Sequence, residues 1–342
     1  MAAHPCTTRR LLKMRFSTDG YWYGNNALTS LLLPLSWLFC GVVALRRYAY
    51  RKGLLPSYRL QLPVIVVGNI TVGGSGKTPL VLWLVEFLRE AGYRPGIISR
   101  GYGGNSSGVP RAVSVESDPM EVGDEAVLLA RRCACPIRVA ADRVAAARDL
   151  PAECDVIISD DGLQHYRLRR DIEIAVVDAE RGFGNGYCLP AGPLREPVQR
   201  LQEVDLIVNN GKRDGAGYTM QLQELTLHNL HNESLTRHAT DFQGQRVHAV
   251  AGIGHPARFF AHLRRLGLDI IEHGFPDHHA FTADEIEFGD GAPVIMTEKD
   301  AVKCRRFAKL HYWYMPVQAE LDASFGERLL TLLKNFPRNQ HG

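Results

Sequence analysis

The stretch Val64-Ile-Val-Val-Gly-Asn-Ile-Thr-Val-Gly-Gly-Ser-Gly-Lys-Thr78 decides how this chain reads. A β-branched run of the buried-strand type feeds a glycine-rich turn that ends in Gly76-Lys77-Thr78, and an apolar-periodic segment, 80–88, follows at once. Strand, loop and helix in that order are what a phosphate-binding P-loop requires. Loop N–H groups and the helix N-terminus surround the phosphates, a lysine meets the β- and γ-oxygens, and a hydroxyl holds Mg²⁺. The strict spacing asks for glycine at the position of Thr71; Gly73, Gly74 and Gly76 supply the permissive backbone instead. A bare turn opening a helix would explain the glycines but not the lysine, the hydroxyl and the strand before them. Gly73, Gly74, Ser75, Gly76, Lys77 and Thr78 are therefore the expected ATP-contacting residues, with Thr78 also on the metal.

At 342 residues the chain has room for two domains. An apolar fraction of 45% and a charged fraction of 23% are ordinary for a globular protein, and a net charge of +3 is too slight to argue for a nucleic-acid partner. The seven cysteines show no C-x-x-C spacing, which favours reduced cytoplasmic thiols over a metal or disulfide framework.

One segment breaks this ordinary texture. Residues 27–45 contain no charge, with Arg9, Arg10, Lys13 and Arg15 before them and Arg46, Arg47, Arg51 and Lys52 after. Tyr21, Trp22 and Tyr23, residue types that favour a bilayer interface, precede the run. As a helix it reaches about 28 Å, just short of a ~30 Å hydrocarbon core. A span, an interfacial helix and a buried core helix are all open; basic flanks on both sides favour the helix lying on anionic lipid.

Further along, strands are expected at Pro95–Ser99, 136–140, 155–159, 172–177 and 205–208, with helices at 123–132 and 143–150. Their alternation implies an α/β fold, P-loop NTPase-like, with a doubly wound and mainly parallel sheet. Ligands then gather at the carboxyl ends of the strands. A second, smaller α/β pattern starts near Val247, with a helix at 257–266, strands at 269–272 and Val294–Thr297, and a last helix at 325–334. The division is 1–55 as an N-terminal membrane-associating segment, 56–210 as the P-loop core, 211–245 as linker or small hairpin, and 246–342 as the second domain. The last helix is a candidate to pack back on the core.

The strand 155–159 runs into Asp160-Asp161-Gly-Leu-Gln164-His165. A P-loop needs an acid at the end of a neighbouring strand to position Mg²⁺ or its water shell, and this strand supplies two; a pair of turn aspartates capping a loop is the lesser alternative. Asp124 alone reads as a helix N-cap or first-turn acid. His278 alone reads as a solvated loop side chain. His273, His278 and His279 invite a zinc reading, but no cysteine or acidic set completes the ligand count.

Together these pieces resemble the tetraacyldisaccharide 4′-kinase family, the lipid A 4′-kinases of Gram-negative bacteria. The resemblance rests on residues 68–78, Ser99-Arg-Gly-Tyr-Gly-Gly104, Gly123-Asp-Glu125, Ala141-Asp-Arg143, Asp160-Asp-Gly-Leu-Gln-His165, Leu189-Pro-Ala-Gly-Pro-Leu-Arg-Glu-Pro197 and Phe275-Pro-Asp-His278. It runs in order from about residue 30 to 300. It implies transfer of the ATP γ-phosphate to the 4′-hydroxyl of a tetraacylated glucosamine disaccharide 1-phosphate, forming lipid IVA, at the cytoplasmic face of the inner membrane. No obligate protein partner is implied. By the same resemblance Lys77 holds the phosphates and Asp160, Asp161, Gln164, His165 and Glu196 organise the metal and phosphate region. Asp124 serves as general base with His278 as its partner, and Arg100, Tyr102, Arg143 and His165 meet the substrate. Thr297-Glu-Lys-Asp300 is a departure to which no role is attached.

The rival reading is a membrane-recruited regulatory ATPase stimulated by a protein partner. Such ATPases usually carry a lysine where Val72 stands, and no Asn-Lys-x-Asp is present for a GTPase. A soluble small-metabolite kinase would not need residues 27–45.

Overall fold

The computed structural model describes residues 19–24, 27–104, 108–213, 215–224 and 226–336. The basic residues Arg9, Arg10, Lys13 and Arg15, and positions 105–107 of the glycine loop, lie outside them.

The strands in chain order are β1 (Val64–Gly68), β2 (Pro95–Ser99), β3 (Arg111–Ala112), β4 (Ile137–Val139), β5 (Val156–Ser159), β6 (Ile172–Asp178), β7 (Leu206–Asn210) and β8 (Tyr218–Glu224). They continue with β9 (Leu227–Asn229), β10 (Thr236–Arg237), β11 (Arg246–Ala251), β12 (Asp269–Gly274), β13 (Val294–Thr297), β14 (Tyr312–Met315) and β15 (Val317–Leu321). The longer helices are α1 (Ala27–Arg51), α2 (Lys77–Glu90), α3 (Asp124–Arg132), α4 (Arg143–Arg148), α5 (Pro256–Arg265), α6 (Glu298–Cys304) and α7 (Ala323–Lys334).

A nine-stranded sheet has the order β15-β8-β7-β6-β1-β5-β2-β4-β3, and a six-stranded sheet the order β10-β9-β14-β13-β11-β12. From β8 to β4 every neighbour in the large sheet is parallel, and β15 and β3 close its edges antiparallel. β1 sits at its centre with all five residues buried, as an apolar run covered on both faces must be. Ile65 and Val67 meet Leu80, Leu84 and Leu88 of α2, while Val64 and Val66 face Ile98, Val144 and Leu163. The P-loop therefore leaves the middle of a rigid sheet at its carboxyl edge, where the turn at Asp160 also emerges from β5.

The segment 211–245, expected as linker or hairpin, is divided between the two sheets. Met220 is fully buried, and Tyr218 and Leu222 pack beside it on the core of the large sheet. Alternating apolar residues bury one strand face, and that outweighs the polar texture around them. The chain also returns at its end: β15 pairs with β8, and Phe325, Leu329 and Leu333 of α7 join the cluster around Ile65 and Leu84.

Helix α1 leaves Leu31, Trp37, Leu38 and Leu45 exposed and buries only Thr29 and Ser36. A core helix would hide such an apolar stripe, so that reading does not hold. The face turned to the protein is fixed by Ser36 Oγ donating to the Cys188 carbonyl at 2.7 Å, and by Phe39 and Cys40 against Ile70 and Leu194.

Candidate active site

Helix α2 starts at Lys77 directly after Gly76, whose φ of 92° lies in the left-handed region. A β-carbon there would stand 2.5 Å from Asn210 Nδ2, so both backbone and space require glycine. Asn210, at the end of β7, donates to the Ser75 carbonyl at 3.2 Å and braces the loop from beneath. Lys77 Nζ lies 3.3 Å from Asn69 Oδ1 and 3.3 Å from Asp161 Oδ1. Arg195 donates to both Asp161 oxygens, at 3.3 and 3.2 Å. Burial opposes the charge of Asp161, but Lys77 and Arg195 outweigh it and hold this carboxyl below the usual carboxylate range.

Asp160 has the opposite environment. It is fully buried, Ser99 Oγ lies 3.5 Å from its Oδ2, and its Oδ1 has no hydrogen-bond donor among the described residues. Burial, with Glu125 and Asp161 nearby, pushes it up to about 7. Ser75 Oγ is likewise buried and without a partner among the described residues. A divalent cation fits this site, since an oxygen donor without a partner and an excess of carboxylate are both answered by positive charge. No cluster of three or more His, Cys, Asp or Glu suited to a metal occurs among the described residues. Mg²⁺ does not need one, because it binds through one or two protein oxygens with phosphates and water completing the shell.

Gln164 and Glu196, expected beside the metal, are bonded to each other. Gln164 Nε2 donates to Glu196 Oε2 at 2.9 Å and to the Asn69 carbonyl at 3.0 Å, and Tyr166 donates to Glu196 Oε1. The geometry makes them a brace between the P-loop strand and the 188–196 loop. Helix α1 joins this brace: Arg46 donates to the Gln164 carbonyl at 3.1 Å and covers the rings of Tyr50 and Tyr166. Among the expected substrate-side residues, Arg143 is buried and donates to the Asp161 carbonyl at 3.4 Å, while Arg100 and Tyr102 are exposed at the cleft. Burial, with Arg143 beside it, takes His165 down to about 4, so its imidazole is neutral.

The second cluster lies between the two sheets. Asp124 opens α3 on the first, and His278 stands in the loop after β12 on the second. His278 Nδ1 is 3.0 and 3.1 Å from the two Asp124 oxygens. Burial opposes both charges, yet the hydrogen bond between them prevails: Asp124 is held below, and His278 above, its ordinary value. The non-glycine residues with left-handed φ among those described are Asp161 (48°) and His278 (57°). Both are candidate site residues, in keeping with the gathering of backbone strain where chemistry is placed. The Tyr102 ring packs on His278 at 4.9 Å between centroids. Lys299 Nζ reaches Glu125 Oε1 at 3.0 Å, Asp277 Oδ1 at 3.2 Å and His278 Nε2 at 3.4 Å. Lys299, Glu125, Asn69, Asn210 and Arg195 were not among the candidates drawn from sequence; the Glu-Lys-Asp motif at 298–300 was visible there, but nothing gave it a partner.

One cleft of about 1350 Å³ is lined by Lys77, Asp160, Asp161 and Arg195 of the first cluster and by Glu125, His278 and Lys299 of the second, with Asp124 buried behind His278; its wall also includes Phe39, Val43 and Arg46 of α1. Arg258 Nη1 crosses it to Asp178 Oδ2 at 3.4 Å. Within it Gly254 faces Gly74, and a β-carbon on Gly254 would stand 3.3 Å from the Gly74 nitrogen.

A P-loop with acids at the end of the neighbouring strand, opening on a cleft that also holds an acid–histidine pair, defines a phosphoryl-transfer enzyme of the P-loop class. The model of the family tetraacyldisaccharide-1-P 4′-kinase matches residues 28–334. A tetraacyldisaccharide 4′-kinase of Nitrosococcus oceani is 54% identical over 92% of this chain and 93% of its own length. The enzyme of that name from Methylobacillus flagellatus is 53% identical over 91% and 94%. Among solved structures, the LpxK of Aquifex aeolicus, an "apo" form in complex with ATP, superposes with a TM-score of 0.74 at 28% identity. It covers 90% of this chain and 99% of that one. The chain belongs to the tetraacyldisaccharide 4′-kinase family and is a kinase.

Proposed function

We propose that this kinase transfers the γ-phosphate of ATP to the 4′-hydroxyl of a tetraacylated glucosamine disaccharide 1-phosphate, the lipid IVA-forming step of lipid A synthesis. The observation that carries the reading is the meeting of two clusters in one cleft, within a chain that matches the family along most of its length.

The phosphates lie over the N–H groups of residues 73–78, with Lys77 on the β- and γ-oxygens. Asp161, itself held by Arg195, pairs with the Lys77 ammonium and sets its place beside the phosphate site. Thr78 and the free oxygen of Asp160 are the residues that would hold Mg²⁺, which neutralises phosphate charge as it develops. Arg100, Tyr102 and Arg143 orient the sugar, and His165, uncharged, lines its path. Asp124 takes the proton of the 4′-hydroxyl as its oxygen bonds to the γ-phosphorus and the bond to the ADP oxygen breaks. His278 holds that carboxylate in orientation. A sugar hydroxyl is a weak nucleophile, so alignment and charge neutralisation supply most of the rate, and the base about 10²–10⁴-fold.

The acceptor is a lipid, and helix α1 supports its capture: an exposed apolar stripe lies in the interface of the inner membrane's cytoplasmic leaflet while the opposite face walls the cleft. The regulatory-ATPase alternative draws no support from the comparisons. The test is direct. In detergent micelles with ATP and Mg²⁺, the full chain is expected to convert the disaccharide 1-phosphate to its 4′-phosphorylated product. Robust ATP hydrolysis without that product would overturn the reading.

A further inference from the structure

The short helix α6 puts two lysines, Lys299 and Lys303, one turn apart on the face it turns to α3. Lys303 Nζ lies 2.8 Å from Asp300 Oδ1 and 3.8 Å from Asp124 Oδ2. Asp300 is fully buried and fixed in turn by the Gly252 nitrogen at 2.9 Å and Thr297 Oγ1 at 2.6 Å. Lys299 reaches further, to Glu125 on the first sheet's side and to Asp277 and His278 on its own. An ionised Asp124 only accepts, so Nδ1 carries a proton; in the one-proton form Nε2 turns its lone pair to the Lys299 ammonium, 3.4 Å away, whereas Asp277 Oδ2, at 3.8 Å, favours a second proton there.

We propose that Lys299 is a positioning residue for phosphoryl transfer, holding the His278 imidazole in its one-proton form and binding the Asp124–His278 pair into a unit that exists only when the two sheets meet. This rests on the reading of Asp124 as proton acceptor. A second proton on His278 would take electron density from the Asp124 carboxylate and weaken it as a base; a cation at Nε2 opposes that proton. The charged groups facing the pair are Glu125 from α3, Asp277 from the histidine's own loop, and Lys299 and Lys303 from α6, with the uncharged Tyr102 ring on the remaining side. Asp124 and Asp277 favour the second proton, Lys299 disfavours it, and Lys303 helps keep Asp124 ionised. Burial opposes the Lys299 charge, but Glu125, Asp124 and Asp277 outweigh it, so the cation persists across the working pH range.

The experiment is the pH profile of kcat for the full chain in detergent, with the tetraacylated disaccharide 1-phosphate, ATP and Mg²⁺. In K299M, kcat is expected to fall about ten- to a hundredfold while KM for ATP stays within about twofold. The acid limb is expected to move up by about one pH unit, since removing a cation lets the pair hold its second proton to higher pH. K299R keeps the charge and should keep the limb where it is. If K299M does not fold, K299Q, uncharged but able to hydrogen-bond Glu125, carries the same readout. A slower enzyme with an unmoved limb would make Lys299 a structural tie only, and an unchanged enzyme would remove it from the mechanism; either overturns the proposal. D124A, run in parallel, separates the two readings: wild-type turnover there ends the assignment of Asp124 itself.

Discussion

The two halves of the cleft are built differently. On the P-loop side, Lys77, Asp161, Arg195 and Asn210 all stand at the carboxyl edge of one sheet, on its strand ends, helix start and loops. On the other side, Asp124 and Glu125 come from one sheet and His278 and Lys299 from the other, and Asp124 and His278 stand 154 residues apart in the chain. The first half is an anion site assembled within one body, although its Asn210–Ser75 brace also joins residues 135 apart in the chain. The second is an alignment that depends on two bodies arriving together. Nucleotide binding and catalysis should therefore be separable by mutation.

The largest effect is expected at Lys77. If Lys77 meets the transferring phosphate as proposed, Lys77→Met should lower kcat about a thousandfold or more. It should also weaken ATP binding, read by calorimetry, with the melting temperature little changed. Asp124→Ala should cut turnover by more than about a hundredfold while ATP binding persists. Loss of ATP affinity there would mean that the two halves are not separable. The smallest effect is on stability against pH. The Asp124 contribution is present above 3.8 and lost as pH falls through its lowered value; that of His278 is present below 6.5 and lost as pH rises through its raised value. The stability difference between wild type and Asp124→Asn should thus be greatest between those two values and shrink on either side. A difference flat from pH 3 to 9 would show that the pair does not hold the sheets together.

Sequence disclosed these halves unequally, for the same reason. The strand 64–68, its glycine turn and Lys77-Thr78 are contiguous, so spacing alone carried their meaning. The end of β5 at Asp160-Asp161 was legible because an apolar strand that stops on two acids has few other uses. Asp124 and His278 carried no local signal; as single residues they read as a cap and a loop side chain, and only the resemblance paired them. Lys299 and Lys303 were further out of reach, since their meaning depends on which side of a seven-residue helix faces another body. The opposite circuits of Asp160 and Asp161 were equally hidden: adjacent identical residues differ by where a turn with positive φ points each carboxylate. The division of 211–245 between two sheets and the return of β15 are tertiary choices that composition does not encode.

The facing glycines, Gly74 and Gly254, bear on how closely the two halves approach. Gly254 is not in the left-handed region, so its backbone would accept any residue. What it provides is clearance. With hydrogen in place of a side chain, Gly254 lies close to the phosphate-binding turn, and an added methyl group would stand 3.3 Å from the Gly74 nitrogen. The clearance between the halves at this point is thus slightly less than one carbon atom needs, and Gly254→Ala would press on the phosphate-binding turn from the second body by a few tenths of an ångström.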